Sequence, residues 1–314
     1  MALSHDDLWP RAGAWPRIDD TNGDGAERDG PERDGADGWD AVLLGVPTHL
    51  TSLSPTGAHA TPAAIRDALR RYSPTLLGPP PVDLNAVLRI ADGGDVADPD
   101  GAEGEASVRS AVAAARERAD LVIALGGDNS LTYGVAQGAA AQGLITIDAH
   151  FDLRDGASNG SPVRRLIDGG LDGRRVVQLG IADFANSVAY ARRAADLGIT
   201  VITMDDVRRR GAADVVAEAR EIAGAGGGGI HLDIDVDVCD RSVAPGCPAS
   251  VPGGLAAWEL RALVREAAAD PRLHSADIAE VDATADAPDG RTVRLAALCV
   301  LELLAGLAAR RSAS

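Results

Sequence analysis

The sequence predicts an α/β fold built on a parallel sheet with helices over both faces. Short apolar runs of strand length alternate with longer segments of helical spacing. Acidic residues gather where those apolar runs end, which is where sites lie in open parallel sheets. The length of 314 residues, 46% of them hydrophobic, suits a large core, since a chain of this size buries roughly three quarters of its unfolded surface without staples.

In chain order, DAVLLGVP (40–47) reads as a buried strand closed by a turn at Gly45 and Pro47. TPAAIRDALRRY (61–72) spaces Ile65, Leu69 and Tyr72 for a helix, with Thr61 as N-cap and Pro62 at the first helical position. VLRIADGGDV (87–96) reads as a short strand, 106–118 as an Ala-rich helix, and LVIALGG (121–127) as a strand ending on two glycines. LTYGVAQGAAAQ (131–142) is a helix, LITIDAH (144–150) a strand, and SPVRRLIDGG (161–170) the start of another helix. VVQLGIA (176–182) and ITVITMDDV (199–207) flank the helix SVAYARRAADLG (187–198). A helix over 212–223 leads into the strand GGIHLDIDVDV (228–238). LAAWELRALVREAAA (255–269) puts Ala257, Leu260 and Leu263 on one helical face; HSADIAEVD (274–282) is the last strand and 292–309 the last helix.

Residues 17–38 are rich in Gly and Asp, and order is expected from Trp39. The chain therefore divides into a disordered acidic N-terminal segment, 1–38, and one folded domain, 39–314. Three scattered cysteines do not make a disulfide framework or a structural zinc site. No basic n-region precedes an apolar stretch at the start, and no apolar run reaches about 18 residues, so no membrane partner and a cytoplasmic location are expected. A net charge of −17 argues against nucleic acid as a partner.

The chemistry concentrates in ITIDAHFDLRDGASNGSP (145–162). Side chains two apart on a strand share a face, so Asp148, His150 and Asp152 converge if the strand persists that far. HLDIDVDVCD (231–240) repeats the pattern with Asp233, Asp235 and Asp237, with Asp240 beyond. A lone D-x-H-x-D fits a solvated strand end, but two such ends side by side crowd five or six carboxylates that cannot all ionise without a cation. Oxygen donors with one imidazole suit Mn²⁺, Mg²⁺ or another hard divalent ion. Bridging carboxylates are the usual way to hold two metals.

GGDNS (126–130), DAHFD (148–152), DIDVDVCDRSVAPG (233–246) and EVDATAD (280–286) together resemble the ordered signature of the ureohydrolase superfamily, which includes arginase, agmatinase and formimidoylglutamase. The likeness covers about residues 40–308, with GAHATPAAIR (57–66) and DGGDV (92–96) in the early part. It implies a single three-layer α/β/α domain with a parallel sheet of about eight strands, and two Mn²⁺ ions supplying the hydroxide that attacks an amidine or guanidine carbon. Trimers or hexamers are common among such relatives.

Carried over by position, Asp148 and Asp235 resemble bridging ligands, Asp152 a ligand of the first metal, and His150 and Asp237 ligands of the second. Glu280 resembles the acid that orients the substrate's amidinium, with Asp152 as the proton relay. Asp233 stands where relatives often carry serine. Asn129 replaces the usual histidine ligand of the first metal; an amide oxygen is a weaker donor, so that ion should be loosely held. Asn159 replaces a histidine of the loop after DAHFD and cannot exchange a proton near neutral pH. Glu280-Val-Asp282 replaces the usual E-V-N-P.

These departures fit the formimidoylglutamase branch best, where the loop often reads S-x-G-[ST]-P and Arg follows DAHxDL, as Arg154 does here. A guanidinium there can clamp a carboxylate of a glutamate-based substrate. GIADFANSVAY (180–190) also resembles that branch and adds Asn186, with Asn159, as a substrate contact. Other readings stay open: Arg154 in an ion pair with Asp155 or another surface acid, and Asn186-Ser187 as a helix cap. The leading expectation is hydrolysis of N-formimidoyl-L-glutamate to L-glutamate and formamide, a step of histidine degradation. An agmatinase or other guanidino hydrolase releasing urea, and a non-catalytic binding protein with a degraded metal site, are the rivals. His49, His59, His231, His274, Cys239 and Cys247 read as loop or packing residues.

Overall fold

The computed structural model of the chain describes residues 6–19 and 38–312. One sheet contains eight parallel strands: β1 (Trp39–Val46), β2 (Ile90–Asp95), β3 (Ala119–Gly126), β4 (Gly143–Ile147), β5 (Val176–Ile181), β6 (Thr200–Thr203), β7 (Ile230–Asp235) and β8 (Leu273–Ala279). They lie in the order β2-β1-β3-β8-β7-β4-β5-β6. The helices are α1 (Thr61–Leu69), α2 (Gly101–Arg116), α3 (Leu131–Gly138), α4 (Pro162–Asp168), α5 (Val188–Asp196), α6 (Met204–Arg210), α7 (Ala212–Ala223), α8 (Ala257–Ala268) and α9 (Arg291–Ser312), besides one turn at Leu84–Val87.

Strand alternation makes the layers. Leu121, Ile123 and Leu125 of β3 join a core with Ile65 and Leu69 of α1, Leu260 and Leu263 of α8, and Leu303 and Leu304 of α9. Val122 and Ala124 face the opposite way, against Val108 and Val112 of α2 and Leu131 and Val135 of α3. The expected three-layer α/β/α architecture is present. The strands that carry the four motifs, β3, β8, β7 and β4, are consecutive neighbours at the centre of the sheet.

Four local expectations change. Thr61 does not cap α1; Ala60 holds that place, and the Thr61 hydroxyl donates to the Val281 carbonyl at 2.5 Å, tying α1 to the segment after β8. The stretch 199–207 splits into β6 and α6, because Thr203 and Asp206 form a capping box that starts a helix. α9 is long and apolar enough to cross a membrane, contrary to the sequence reading, but 78% of its apolar window is buried, and it packs against α8 and α1.

The fourth change is at the N-terminus, where residues 11–18 run against the fold although 1–38 is expected to be disordered. β2 is the sheet edge, and its free backbone groups are taken by this strap: Asp92 N–H donates to Pro16 O at 2.8 Å, and Ile18 N–H to Asp92 O at 3.0 Å. Ala12 is fully buried and donates its N–H to Tyr72 O at 2.9 Å, while the Trp15 indole donates to Asn85 Oδ1 at 3.0 Å. The remainder of the expected disordered segment, 1–5 and 20–37, lies outside the described residues. Deleting residues 1–19 is expected to lower the unfolding free energy by about 2–4 kcal/mol, from lost apolar cover around Ala12, Trp15 and Ile18. Urea denaturation of the truncated chain measures this, and an unchanged midpoint contradicts it.

Candidate metal centre

β4 and β7 are neighbours in register, Ile147 opposite Ile234. Neither strand persists through its acid cluster as the sequence reading supposed. Beyond Ile147, Asp148 Oδ1 accepts the His150 N–H at 2.7 Å, and Asp152 turns the chain with a φ of 50°. Beyond β7, residues Val236–Val238 form a 3₁₀ turn in which Asp235 Oδ1 accepts the Asp237 N–H at 2.9 Å. Both loops therefore use one device: an aspartate bonds the backbone two residues on and curls the chain back over the strand end.

The curled loops gather the predicted ligands into two overlapping groups. Carboxylate oxygens of Asp148, Asp152 and Asp235 all lie within 4.8 Å of one another, as do ligand atoms of Asp148, His150 and Asp237. Asp148 belongs to both. His150 Nδ1 lies 3.1 Å from Asp237 Oδ2 and 3.4 Å from Asp148 Oδ1. Asp233 is fully buried and belongs to neither group.

Crowding and burial set the electrostatics. Burial, reinforced by Asp237, pushes the Asp148 carboxyl up to about 6 despite its bonds to His150. Burial likewise drives Asp152 and Asp235 well above the usual carboxylate range, with neighbouring acids adding to it. For His150 burial works against the charged form, but Asp237 and Asp148 outweigh it and push the imidazole up to about 12. Asp148 Oδ2 and Asp237 Oδ1 are buried with no hydrogen-bond partner. Oxygen acceptors without donors, beside one imidazole, are a donor set that fits hard divalent ions.

Asn129 departs from its expected role. It follows the turn after β3, where the Thr48 backbone passes so close that a Cβ at Gly127 would lie 1.9 Å from the Thr48 carbonyl oxygen. Its amide nitrogen donates to Asp152 Oδ2 at 2.6 Å, while its oxygen accepts the Thr132 hydroxyl at 2.7 Å. The oxygen that was expected on the first metal is thus turned toward α3.

Glu280 follows β8 with a φ of 62°, a conformation that a non-glycine residue adopts under local constraint. Its Oε1 accepts the Asn129 N–H and the Asn159 side-chain N–H, both at 2.8 Å. Burial first, then Asp237, pushes this carboxyl up to about 8 against those bonds. Asn159 is not free for substrate: its oxygen accepts the Leu53 N–H at 3.0 Å while its nitrogen holds Glu280. Asn186, another expected contact, likewise spends its amide on backbone groups, accepting from Phe151 N–H and donating to Ala149 O and Ala182 O. Ser187 is the cap of α5. Arg154, by contrast, is exposed and has no side-chain partner among the described residues; Asp155 pairs with Arg193 at 2.9 Å instead.

A cavity of about 360 Å³ joins these groups, with buried Asp152, Asp235 and Glu280 inside, half-buried Tyr190 on its wall, and exposed Arg154 and Phe184 toward its rim. A larger cavity of about 740 Å³ between α2, α3 and α4 contains none of the predicted residues. Phe184 at the rim is fully exposed with a φ of 64°; the sequence reading gave it no role of its own, although it lies within GIADFANSVAY. Thr132 was missed too, because nothing in a sequence reports which way an amide turns.

Comparison with known proteins agrees with this geometry. The Arginase family model matches residues 39–306. Formimidoylglutamase of Halobacterium salinarum is 38% identical over 285 residues, covering 86% of this chain and 89% of that one. The crystal structure of formimidoylglutamase from Bacillus subtilis superposes with a TM-score of 0.85 at 31% identity, covering 98% of this chain and 94% of that one. Trypanosoma cruzi formiminoglutamase, solved with Mn²⁺, gives 0.79 at 25% identity, covering 87% and 94%. With likeness in sequence and in backbone extending over nearly the whole described fold, the chain belongs to the arginase family.

Proposed function

We propose that the protein hydrolyses N-formimidoyl-L-glutamate to L-glutamate and formamide, using two divalent ions, by their donor set Mn²⁺. The observation that carries this reading is the polarity of the pocket: buried acids inside and an unpaired guanidinium, Arg154, at the rim. An amidine with an anionic tail matches that polarity, whereas the ammonium tail of agmatine would meet Arg154 as a like charge. The named relatives point the same way.

Asp148, Asp152 and Asp235 would hold one ion, and Asp148, His150 and Asp237, with Asp235 shared, the other. Bound there, such a pair supplies hydroxide near neutral pH. Glu280 keeps Oε1 on its two donors and presents Oε2 to the substrate's amidinium, which orients the formimidoyl carbon. Asp152 relays a proton to the glutamate nitrogen as the C–N bond breaks, so that the amine leaves neutral. Asn159 cannot take that part, and its work is to fix Glu280. Arg154 holds a carboxylate of the tail.

Steady-state assays on N-formimidoylglutamate, agmatine, arginine and guanidinobutyrate with added Mn²⁺, quantifying ammonia, urea and formamide, test the reaction. Formamide from the first substrate is expected; urea release without formamide defeats the proposal. Glu280→Gln should lower kcat/KM by about 10²–10³-fold, as loss of a charge-orienting group does. Asn129→His should tighten the more weakly held ion by at least about tenfold, read by calorimetric titration of Mn²⁺; unchanged affinity would put the wrong residue at that ligand position.

The pH dependence of the metal-free protein is a separate check. Glu280, Asp148 and His150 all hold protons more tightly folded than unfolded, with folded values of about 8, 6 and 12. Their stabilisation is complete at low pH and declines as pH rises through these values. In chelator the melting temperature should therefore fall between about pH 5 and pH 8. Added Mn²⁺ displaces those protons, so its stabilising shift should grow over the same range. A metal-induced shift that shrinks with rising pH contradicts these ligand assignments.

A further inference from the structure

N-Formimidoylglutamate carries two carboxylates, and among the described residues the pocket rim offers one unpaired guanidinium, Arg154, so one carboxylate needs a second seat. Of the groups lining the cavity, Asn159 and Asn186 have committed their amides, and Ser187 caps α5. Tyr190 has not. It projects from the first turn of α5 into the cavity wall, half-buried, with only its backbone N–H engaged, by Ser187 Oγ. Its hydroxyl has no partner among the described residues, and the Arg193 guanidinium lies 5.5 Å from its ring centroid, fixing the ring against α5. A tyrosine held by its ring with a free O–H at a pocket wall is a preorganised donor.

Resting on the reaction proposed above, we propose that Tyr190 is a specificity-determining residue that donates to the substrate's α-carboxylate while Arg154 takes the γ-carboxylate. Depth decides the pairing. The α-carboxylate branches from the carbon that bears the amidine nitrogen and lies deeper, near half-buried Tyr190; the γ-carboxylate lies two bonds further out, level with exposed Arg154. The two seats together select a dicarboxylate tail over a monocarboxylate or an uncharged one. Both contacts exist before and during bond breaking, so they lower KM more than they raise kcat.

Two truncated substrates separate the seats: N-formimidoyl-γ-aminobutyrate lacks the α-carboxylate, and N-formimidoyl-α-aminobutyrate lacks the γ-carboxylate. With Mn²⁺-loaded protein, Tyr190→Phe should lower kcat/KM on N-formimidoylglutamate about 10–100-fold, mostly through KM, the range for one hydrogen bond to a charged group. On the γ-aminobutyrate analogue the same variant should lose less than about twofold, since no contact remains to be removed. Arg154→Gln should show the mirror pattern, its loss disappearing on the α-aminobutyrate analogue. Equal losses for Tyr190→Phe on both substrates mean a merely structural tyrosine and overturn the assignment, as does no loss on either. If the wild-type protein releases no formamide from N-formimidoylglutamate, the proposed reaction itself fails and this assignment falls with it; normal wild-type turnover with an indifferent Tyr190→Phe sinks the assignment alone.

Discussion

Mutual repulsion among buried carboxylates at two adjacent strand ends is the constraint around which this protein is organised. Asp148, Asp152, Asp235 and Asp237 are all nearly or fully removed from water and, with His150, fall into two groups that share Asp148, each with its ligand atoms within 4.8 Å. Each would be costly to bury alone, and together they are tolerable only with shared protons or shared cations. The rest of the fold supplies the rigidity that keeps them there. β4 and β7 are central strands flanked by paired neighbours on both sides, so neither can shift its end to relieve the crowding. The Asx turns at Asp148 and Asp235 spend one oxygen of each acid on the backbone and leave the other for the centre.

The same arrangement explains why strained backbone concentrates here. Asp152 and Glu280 both have positive φ without being glycine, and both belong to the reacting end of the pocket. Glu280 is held by donors from two separate segments, after β3 and after β4, so its carboxylate is positioned by the loops that carry the metal centre. The buried Glu280 carboxylate and the acid cluster thus share one set of supports.

Much of this was legible in the residues. The alternation of apolar runs and helical spacing located the strands, since burial on both sheet faces leaves little freedom in composition. The clustering of Asp148, His150, Asp152, Asp235 and Asp237 was legible because few other reasons exist to place so many acids after apolar strands. What could not be read was conformation that depends on a partner far along the chain. Asn129 looked like a ligand by position, yet Thr132 decides where its oxygen points. Asn159 and Asn186 looked like substrate contacts, yet both amides answer to backbone groups brought near by folding. The N-terminal strap was hidden by averaging, because a few anchors such as Ala12 and Trp15 are diluted by acidic and glycine-rich neighbours.

The Asn159 side chain spans from the Leu53 backbone to the Glu280 carboxylate, and so works as an interlock. Leu53 on the outer loop and the buried acid behind it are therefore fixed through one side chain. The order of the doorway and the order of the interior are thereby one property, held by a single amide rather than by a hinge between domains.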